Sequence, residues 1–405
     1  MSKGATIAKP SKATKTTGNG PKPWTILVFM VGNSELKSSI DRDLLELGRA
    51  DASDLVDIVV AIQRTAKSKT QWHEFVSQPD GSRKQQPTGE KPSDDAEDLH
   101  DRLDDFLAFA ARKYPSDHYL LILWGHASGL EFGLFEPGSE DDRLGLESLA
   151  KSLSSFQAKR GRDHRKLDIL GLCGCALSKA EFALELRDHV DFLVSSQVGI
   201  STLMTWPFDQ IAQLVVTSPS VPPETLASQM VQCFEEFYEP PPVALTALDL
   251  RKGKTLKKQV DSLAHSILEA FDAPDDRGVL NKMCVLKAFK IALAAYPYEL
   301  EPLVDFYDFC RKLVEEEFLE KSVQEKARNL VDRGSRPYVV YNARSGPKLG
   351  ALHGLSILAP DLDDPELPKV IENAAKSKAW LWQNTRWVKM VDEVVKFAKS
   401  RPELA

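Results

Sequence analysis

Apolar and polar positions recur along the first half of the chain with two different periods. Short, almost wholly apolar runs stand at 24–31 (WTILVFMV), 56–62 (VDIVVAI), 119–124 (YLLILW) and 167–172 (LDILGL). Each has strand length, and apolar residues on both faces are what a strand covered on both sides requires. Residues 71–76 (QWHEFV) alternate instead, as an edge strand does, and 191–196 (DFLVSS) supply a further strand. Between these runs Leu36, Ile40, Leu44 and Leu47, and then Leu99, Leu103, Phe106 and Phe109, recur at the three- and four-residue spacing of amphipathic helices. The same period predicts helices at 146–157 and 178–188, and the polar stretch from Gln78 to Asp95 reads as a loop.

Strands alternating with helices of this length predict an α/β fold with a mostly parallel sheet, helices covering both faces. In such sheets ligands sit beyond the carboxyl ends of the strands. After about residue 221 the pattern changes. Pro222-Pro223 and Pro240-Pro241-Pro242 punctuate the chain, helical spacing fills 251–335, strands and turns occupy 337–360, and a closing helix falls near 384–399. The expected organisation is a disordered tail over 1–22, an α/β domain over 23–220, and a mainly helical α+β region over 221–405 packed on the same sheet.

Composition narrows the functional class. The 405 residues are 42% apolar and 27% charged, a globular balance, and 59 acidic against 52 basic residues argue against nucleic acid as a partner. The longest apolar runs fall well short of the roughly 18 residues a membrane span needs. The first 22 residues carry Lys3, Lys9, Lys12, Lys15 and Lys22 without the apolar stretch of a secretory signal, so they read as a solvated leader. Five cysteines, an odd number at low density, fit a reducing compartment and a cytoplasmic protein.

Reactive side chains stand at two strand ends. The run 121–129 closes its strand with Gly125-His126-Ala127, and the run 167–175 closes its strand with Cys173-Gly174-Cys175 before a helix. A histidine beside a thiol can take its proton and later return it to a leaving amine. Backbone N–H groups at Cys175 and after His126 can hold the oxyanion of an acyl intermediate. Two other readings compete with nucleophilic catalysis. Cys173 and Cys175 can form a redox pair, or half of a metal site, although no second Cys/His pair has zinc-ligand spacing. A dinucleotide loop is absent, and the acidic runs Glu140-Asp141-Asp142 and Asp361–Asp364 lack the pattern of a calcium loop.

At these residues the sequence resembles the clostripain-type cysteine peptidases, relatives of caspases, gingipains and legumains. WTILVFMVGNSEL resembles the opening strand and turn, YPSDHYLLILWGHASG the catalytic-histidine segment, and LDILGLCGCALSKAEFALELRDHVDFLVSSQ the catalytic-cysteine segment. Thr205–Phe208, Thr246–Leu250, Val304–Phe309 and Gly354–Pro360 resemble later blocks. The resemblance implies a caspase-like α/β/α sandwich, Cys175 as nucleophile, His126 as general base, a protein or peptide as substrate, and close backbone approach at Gly125 and Gly174. It leaves calcium as a cofactor known from some relatives only; the sequence itself shows no site for one.

The chain departs from the family's pattern at four places. Ala127 stands where glycine is usual after the histidine, and Cys173 where an aspartate commonly lies two residues before the nucleophile. The segment after Gln197, VGISTLMT, carries no acid. A basic substrate side chain would then lack a counter-charge, at a cost of several kcal/mol, so the pocket, expected around Cys173, Gln197, Leu203 and Asp209, is not expected to prefer Arg or Lys; Asp209 is the one nearby acid that could restore that preference. Family members often cut themselves between the two catalytic segments; Arg143 and the basic cluster around Arg160 are the matching sites here. These departures also define a rival, a catalytically inactive caspase-like binding module.

Overall fold

The computed structural model describes residues 20–401 apart from 34, 66–67, 128–142, 161–164, 201–204, 239–242, 298–301, 333–335, 337, 347, 363–366, 368, 370 and 373–379. Residues 1–19, most of the expected tail, therefore lie outside the described residues. Strands β1 (Lys22–Val31), β2 (Val56–Gln63), β3 (Gln71–Ser77), β4 (Arg83–Pro87), β5 (Ser116–Trp124), β6 (Leu167–Cys173), β7 (Val190–Ser195), β8 (Val243–Asp249), β9 (Leu303–Asp305), β10 (Val339–Ser345) and β11 (Ser356–Leu358) make two sheets among the described residues. The larger has nine strands in the order β10-β8-β7-β6-β5-β1-β2-β3-β4. Its centre, β2-β1-β5-β6-β7, is parallel, and the edge pairings β2–β3, β3–β4, β7–β8 and β8–β10 are antiparallel. This is the α/β, mostly parallel sheet that the alternation predicts.

The apolar runs divide cleanly between the two faces, because successive side chains of a strand point to opposite sides. Leu27, Phe29, Leu121, Leu123, Leu170 and Leu172 belong to one core. Trp24, Ile26, Val28, Leu120, Ile122, Trp124 and Ile169 belong to the other. Helices α2 (Leu99–Lys113), α3 (Leu146–Lys159) and α4 (Ala180–Leu186) cover the first face. The apolar sides of α1 (Lys37–Leu47), α5 (Phe208–Thr217) and α6 (Pro223–Phe237) cover the second. A buried Leu or Ile contributes about 1.5–3 kcal/mol relative to exposure, so two dry faces fix the register of every central strand.

Beyond residue 220 the chain continues the same architecture. Strands β8 and β10 extend the large sheet, and α7 (Gly253–Phe271), α8 (Asp276–Ala295), α9 (Phe306–Glu315), α10 (Lys321–Val331) and the helix Trp387–Ser400 add their apolar stripes to the first core. The small sheet, β9 with β11, lies against α4 through the bridge Lys179↔Ser356.

One element departs from the sequence reading. Residues 83–87, expected as loop, form β4 on the sheet edge. Their sequence, RKQQP, has no apolar alternation to show it. The strand is held by its ladder with β3 and by Arg83, whose buried guanidinium donates to the carbonyls of Asp51, Phe75 and Val56 at 3.0–3.3 Å.

Candidate active site

The register of β5 against β6 pairs Trp124 with Cys173, so His126 and Cys175 each stand two residues beyond paired positions on neighbouring strands. Adjacent strands are about 4.8 Å apart. The pairing continues past the strands, with the Gly125 N–H donating to the Cys173 carbonyl at 3.3 Å. A Cβ built on Gly174 would lie 3.0 Å from Ala127 Cβ and 3.1 Å from the Gly125 carbonyl oxygen. The histidine and cysteine turns therefore touch, and glycine at 174 is what permits it.

The turn after Cys175 is strained. Ala176 has φ 52°, in the left-handed region that costs a non-glycine residue about 1–2 kcal/mol. Its N–H donates to the Val198 carbonyl at 3.0 Å, and the Ser178 N–H to the Ser196 carbonyl at 2.8 Å. These bonds hold the conformation against its cost, and they dock the turn on the segment that follows β7. Strain held by its surroundings is characteristic of functional turns. Helix α4 begins only at Ala180 and is seven residues long, so it starts five residues beyond Cys175. The polar contact at its sulfur comes instead from Ile200, whose N–H donates to Sγ at 3.3 Å and whose carbonyl lies 3.6 Å away. On the other turn, Glu35 Oε2 stands 3.8 Å from His126 Nε2.

Below the two turns lies a buried polar cluster. Asp43 of α1 accepts from the Trp124 indole N–H and the Thr205 hydroxyl, each at 2.8 Å, and Arg42 Nη2 donates to the same hydroxyl at 2.7 Å. Arg42 Nε reaches Asp43 at 3.2 Å. Burial pushes the Asp43 carboxyl up to about 6, against the opposing pull of these donors. The Trp206 backbone N–H donates to the Cys173 thiol, whose pKa is nevertheless raised well above the ordinary range, first by burial and then by the charge of Asp43. The Trp206 ring packs against β6 at Gly171, which has no side chain to meet it.

The sequence model of the clostripain family matches residues 28–370. The chain belongs to the clostripain family. It is accordingly a cysteine peptidase of the clostripain type. Among solved structures, the fold is similar to an inactive zymogen C11 protease from Parabacteroides distasonis, with 17% identity, a TM-score of 0.62, and 93% of this chain and 99% of that one covered. It is similar also to iotapain, a secreted C11 cysteine protease from Bacteroides thetaiotaomicron (16% identity, TM-score 0.64, 90% and 99% covered). A third, a secreted C11 cysteine protease from the same organism in complex with an irreversible peptide inhibitor, has 13% identity and a TM-score of 0.64, with 91% and 100% covered. At these identities the likeness is one of fold. No curated protein matches the sequence significantly.

Within this clostripain-family fold the residues expected around a substrate pocket take different places. Gln197 is not a pocket wall. Its side chain is buried and saturated, donating to Asp305 at 2.9 Å and Ser356 at 3.0 Å and accepting from the Gly354 N–H at 2.6 Å. Cys173 is likewise a core residue, its side chain packed among the aromatic residues of the second face; a buried, high-pKa thiol is a poor partner for disulfide exchange. Asp209, in the first turn of α5, lines a groove of about 450 Å³ with Arg49, Gln213 and Cys233. Leu203 lies outside the described residues. Arg143 is half-buried where the described chain resumes, and the rest of its loop, 128–142, is outside the described residues.

Two kinds of residue escaped the sequence reading. Ile200 acts through its backbone, which no side-chain pattern reveals. Asp43 did leave a signal: it lies between Ile40, Leu44 and Leu47 on the apolar stripe of α1, where a charge is out of place unless it is paired. Among the described residues no group of three or more His, Cys, Asp and Glu is arranged to hold a metal ion, and no helix is long and apolar enough to cross a membrane.

Proposed function

We propose that the chain hydrolyses peptide bonds through a Cys175–His126 dyad, without a strong preference for Arg or Lys before the scissile bond. His126 takes the Cys175 thiol proton, and the thiolate attacks the carbonyl carbon. The resulting oxyanion is held by backbone N–H groups, those of Cys175 and Ala127 being the nearest by position. Collapse breaks the C–N bond, the amine leaves with the proton from His126, and a thioester remains on Cys175. Water, deprotonated by His126, then attacks the thioester; the acid product leaves and the thiol is restored.

The observation that supports this reading best is the meeting of the two turns at Gly174, with a strained Ala176 behind the nucleophile. Thiolate also gains from the Ile200 N–H, since a hydrogen bond to the charged form favours it. The weak specificity for basic residues rests on Cys173 being a buried thiol where a carboxylate would serve Arg or Lys. A fluorogenic peptide panel, run beside Cys175→Ala and His126→Ala, tests both parts. Activity lost in both variants supports the dyad; activity kept in Cys175→Ala, or efficient cleavage after Arg by the wild type, removes the corresponding part.

A second reading, a non-cleaving module of the same fold, is favoured by one observation: both backbone groups of Ile200 lie against Sγ, as they would in a latent site. An irreversible thiol-directed peptide probe separates the two. Labelling of Cys175 that disappears in His126→Ala supports the enzyme, and a folded protein that never labels supports the module. We also propose a reducing compartment for the protein. That none of the five cysteines is in a disulfide supports it, and fractionation of the native cell with thiol trapping tests it.

A further inference from the structure

Arg42 and Asp43 are placed by the same helix at the base of the site, and they differ sharply in exposure. The Asp43 side chain is 0% exposed and the Arg42 side chain 38%. The carboxylate faces inward, on Trp124 two residues before His126 and on Thr205. The guanidinium lies on the outer side of the same hydroxyl. Trp124 is paired with Cys173 in the sheet, so the Asp43–Trp124 bond stands two residues before both His126 and Cys175.

We propose that Arg42 determines the specificity of this site: its guanidinium holds, from within the chain, the place beside Asp43 that a basic substrate side chain would otherwise fill, so that the site accepts a neutral side chain. The proposal rests on the peptidase reading above and deepens it.

The charges around Arg42 argue for this sign. Glu46 feels Asp43 and Asp209 as like charges, and Arg42 is the cation that opposes them there. Glu46 is itself buried and accepts the Phe208 N–H at 3.2 Å. Arg49, lining the groove with Asp209, and Tyr238, whose hydroxyl donates to the Thr205 carbonyl at 2.5 Å, complete the surroundings. With Arg42 present, Asp43 has its counter-ion. A second cation brought by substrate would meet a neutralised carboxylate behind a like charge. With Arg42 removed, Asp43 would border the space its guanidinium leaves, with Glu46 nearby, and a buried carboxylate without its partner is costly enough to recruit one.

The test uses the full chain and peptides that differ only in the residue before the scissile bond. Arg42→Ala is expected to raise kcat/KM for Arg and Lys peptides relative to neutral ones by about tenfold or more. Adding Asp43→Asn to that variant should abolish the gain, and Arg49→Ala should leave the ratio where it was. Ethylguanidinium supplies a readout that needs no catalysis: it should raise the melting temperature of Arg42→Ala but not that of the wild type. Arg42→Met replaces the alanine variant if the latter does not fold. An unchanged peptide ratio in folded Arg42→Ala, absence of the ethylguanidinium shift, or a wild type that cleaves best after Asp or Glu would overturn the assignment. If every variant is inert towards peptides while ethylguanidinium still stabilises Arg42→Ala, the peptidase reading falls and the guanidinium site stands.

Discussion

Gly171 and Gly174, three residues apart, are both glycine because something else occupies the space of a side chain. At 171 the occupant is Trp206: a Cβ there would come within 2.7 Å of the indole ring. Gly171→Ala must push the indole away from β6, and overpacking of this kind costs about 1–3 kcal/mol. Because Trp206 adjoins Thr205, the same change should raise KM; thermal denaturation and steady-state kinetics read the two effects. At 174 the occupants are Ala127 Cβ and the Gly125 carbonyl. Here the crowding falls between the turns that carry His126 and Cys175, the proposed dyad, where a misplacement of about 1 Å can cost about a hundredfold in rate. Gly174→Ala is thus expected to lose activity out of proportion to any fall in melting temperature. A proportional loss of both would place the effect in the fold. Both glycines were visible in the sequence, and the resemblance to the clostripain-type peptidases implied close approach at 174. What crowds each one could not be read, since the neighbour of 171 is 35 residues away.

At the scale of elements, α4 shows how the far end of the chain is fastened to the catalytic half. Glu181 on this helix is buried and accepts the Leu358 N–H of β11 at 3.3 Å. Burial pushes its carboxyl up to about 7, against about 4.3 in an unfolded chain. With the folded value the higher, its stabilising contribution is complete below about pH 4 and is lost as pH rises through about 7. Glu181→Gln removes the ionisation. It should stabilise the protein at pH 8 by up to about 3 kcal/mol, with the advantage gone near pH 4; melting curves of both proteins across this range test it. The α4 segment itself was legible from its period, since Phe182, Ala183 and Leu186 fall on one side. Its acid was not, because a charge near a helix start is as easily solvated as buried.

The segment after β7 makes the same point for the site. Gln197 and its neighbours were expected to face substrate. The side chain turns instead to Asp305, Ser356 and Gly354, more than 100 residues away, and the backbone of 198–200 is left to grip Ala176 and the Cys175 sulfur. The C-terminal region thereby holds the segment that holds Cys175.

Across the whole molecule, one sheet carries both halves. Strand β8 pairs with β7 and β10 with β8, so the segment beyond residue 220 closes an edge that β7 would otherwise leave open. The helices α7 to α10 complete the core under α4. A chain ending at 220 is therefore expected to be insoluble or unfolded, with an unpaired central strand and an uncovered apolar face. Circular dichroism and soluble yield of that truncation check it; a soluble, cooperatively melting fragment would show that the first half folds alone.

By itself the sequence determined what depends on near neighbours. Period-two and period-3.6 patterns are local, so the central strands, their helices and the two faces of the sheet could be assigned, and with them a histidine and a cysteine at two strand ends. Tertiary structure alone decided what depends on distant partners. Register brought His126 beside Cys175, Val198 fixed the strained Ala176, and Asp305 claimed Gln197. The exposure of one charge and burial of the next turned Arg42 and Asp43 from ordinary helix residues into the base of the site. Pairings across a hundred residues carry no local period, and the free energy that selects among them belongs to the folded whole.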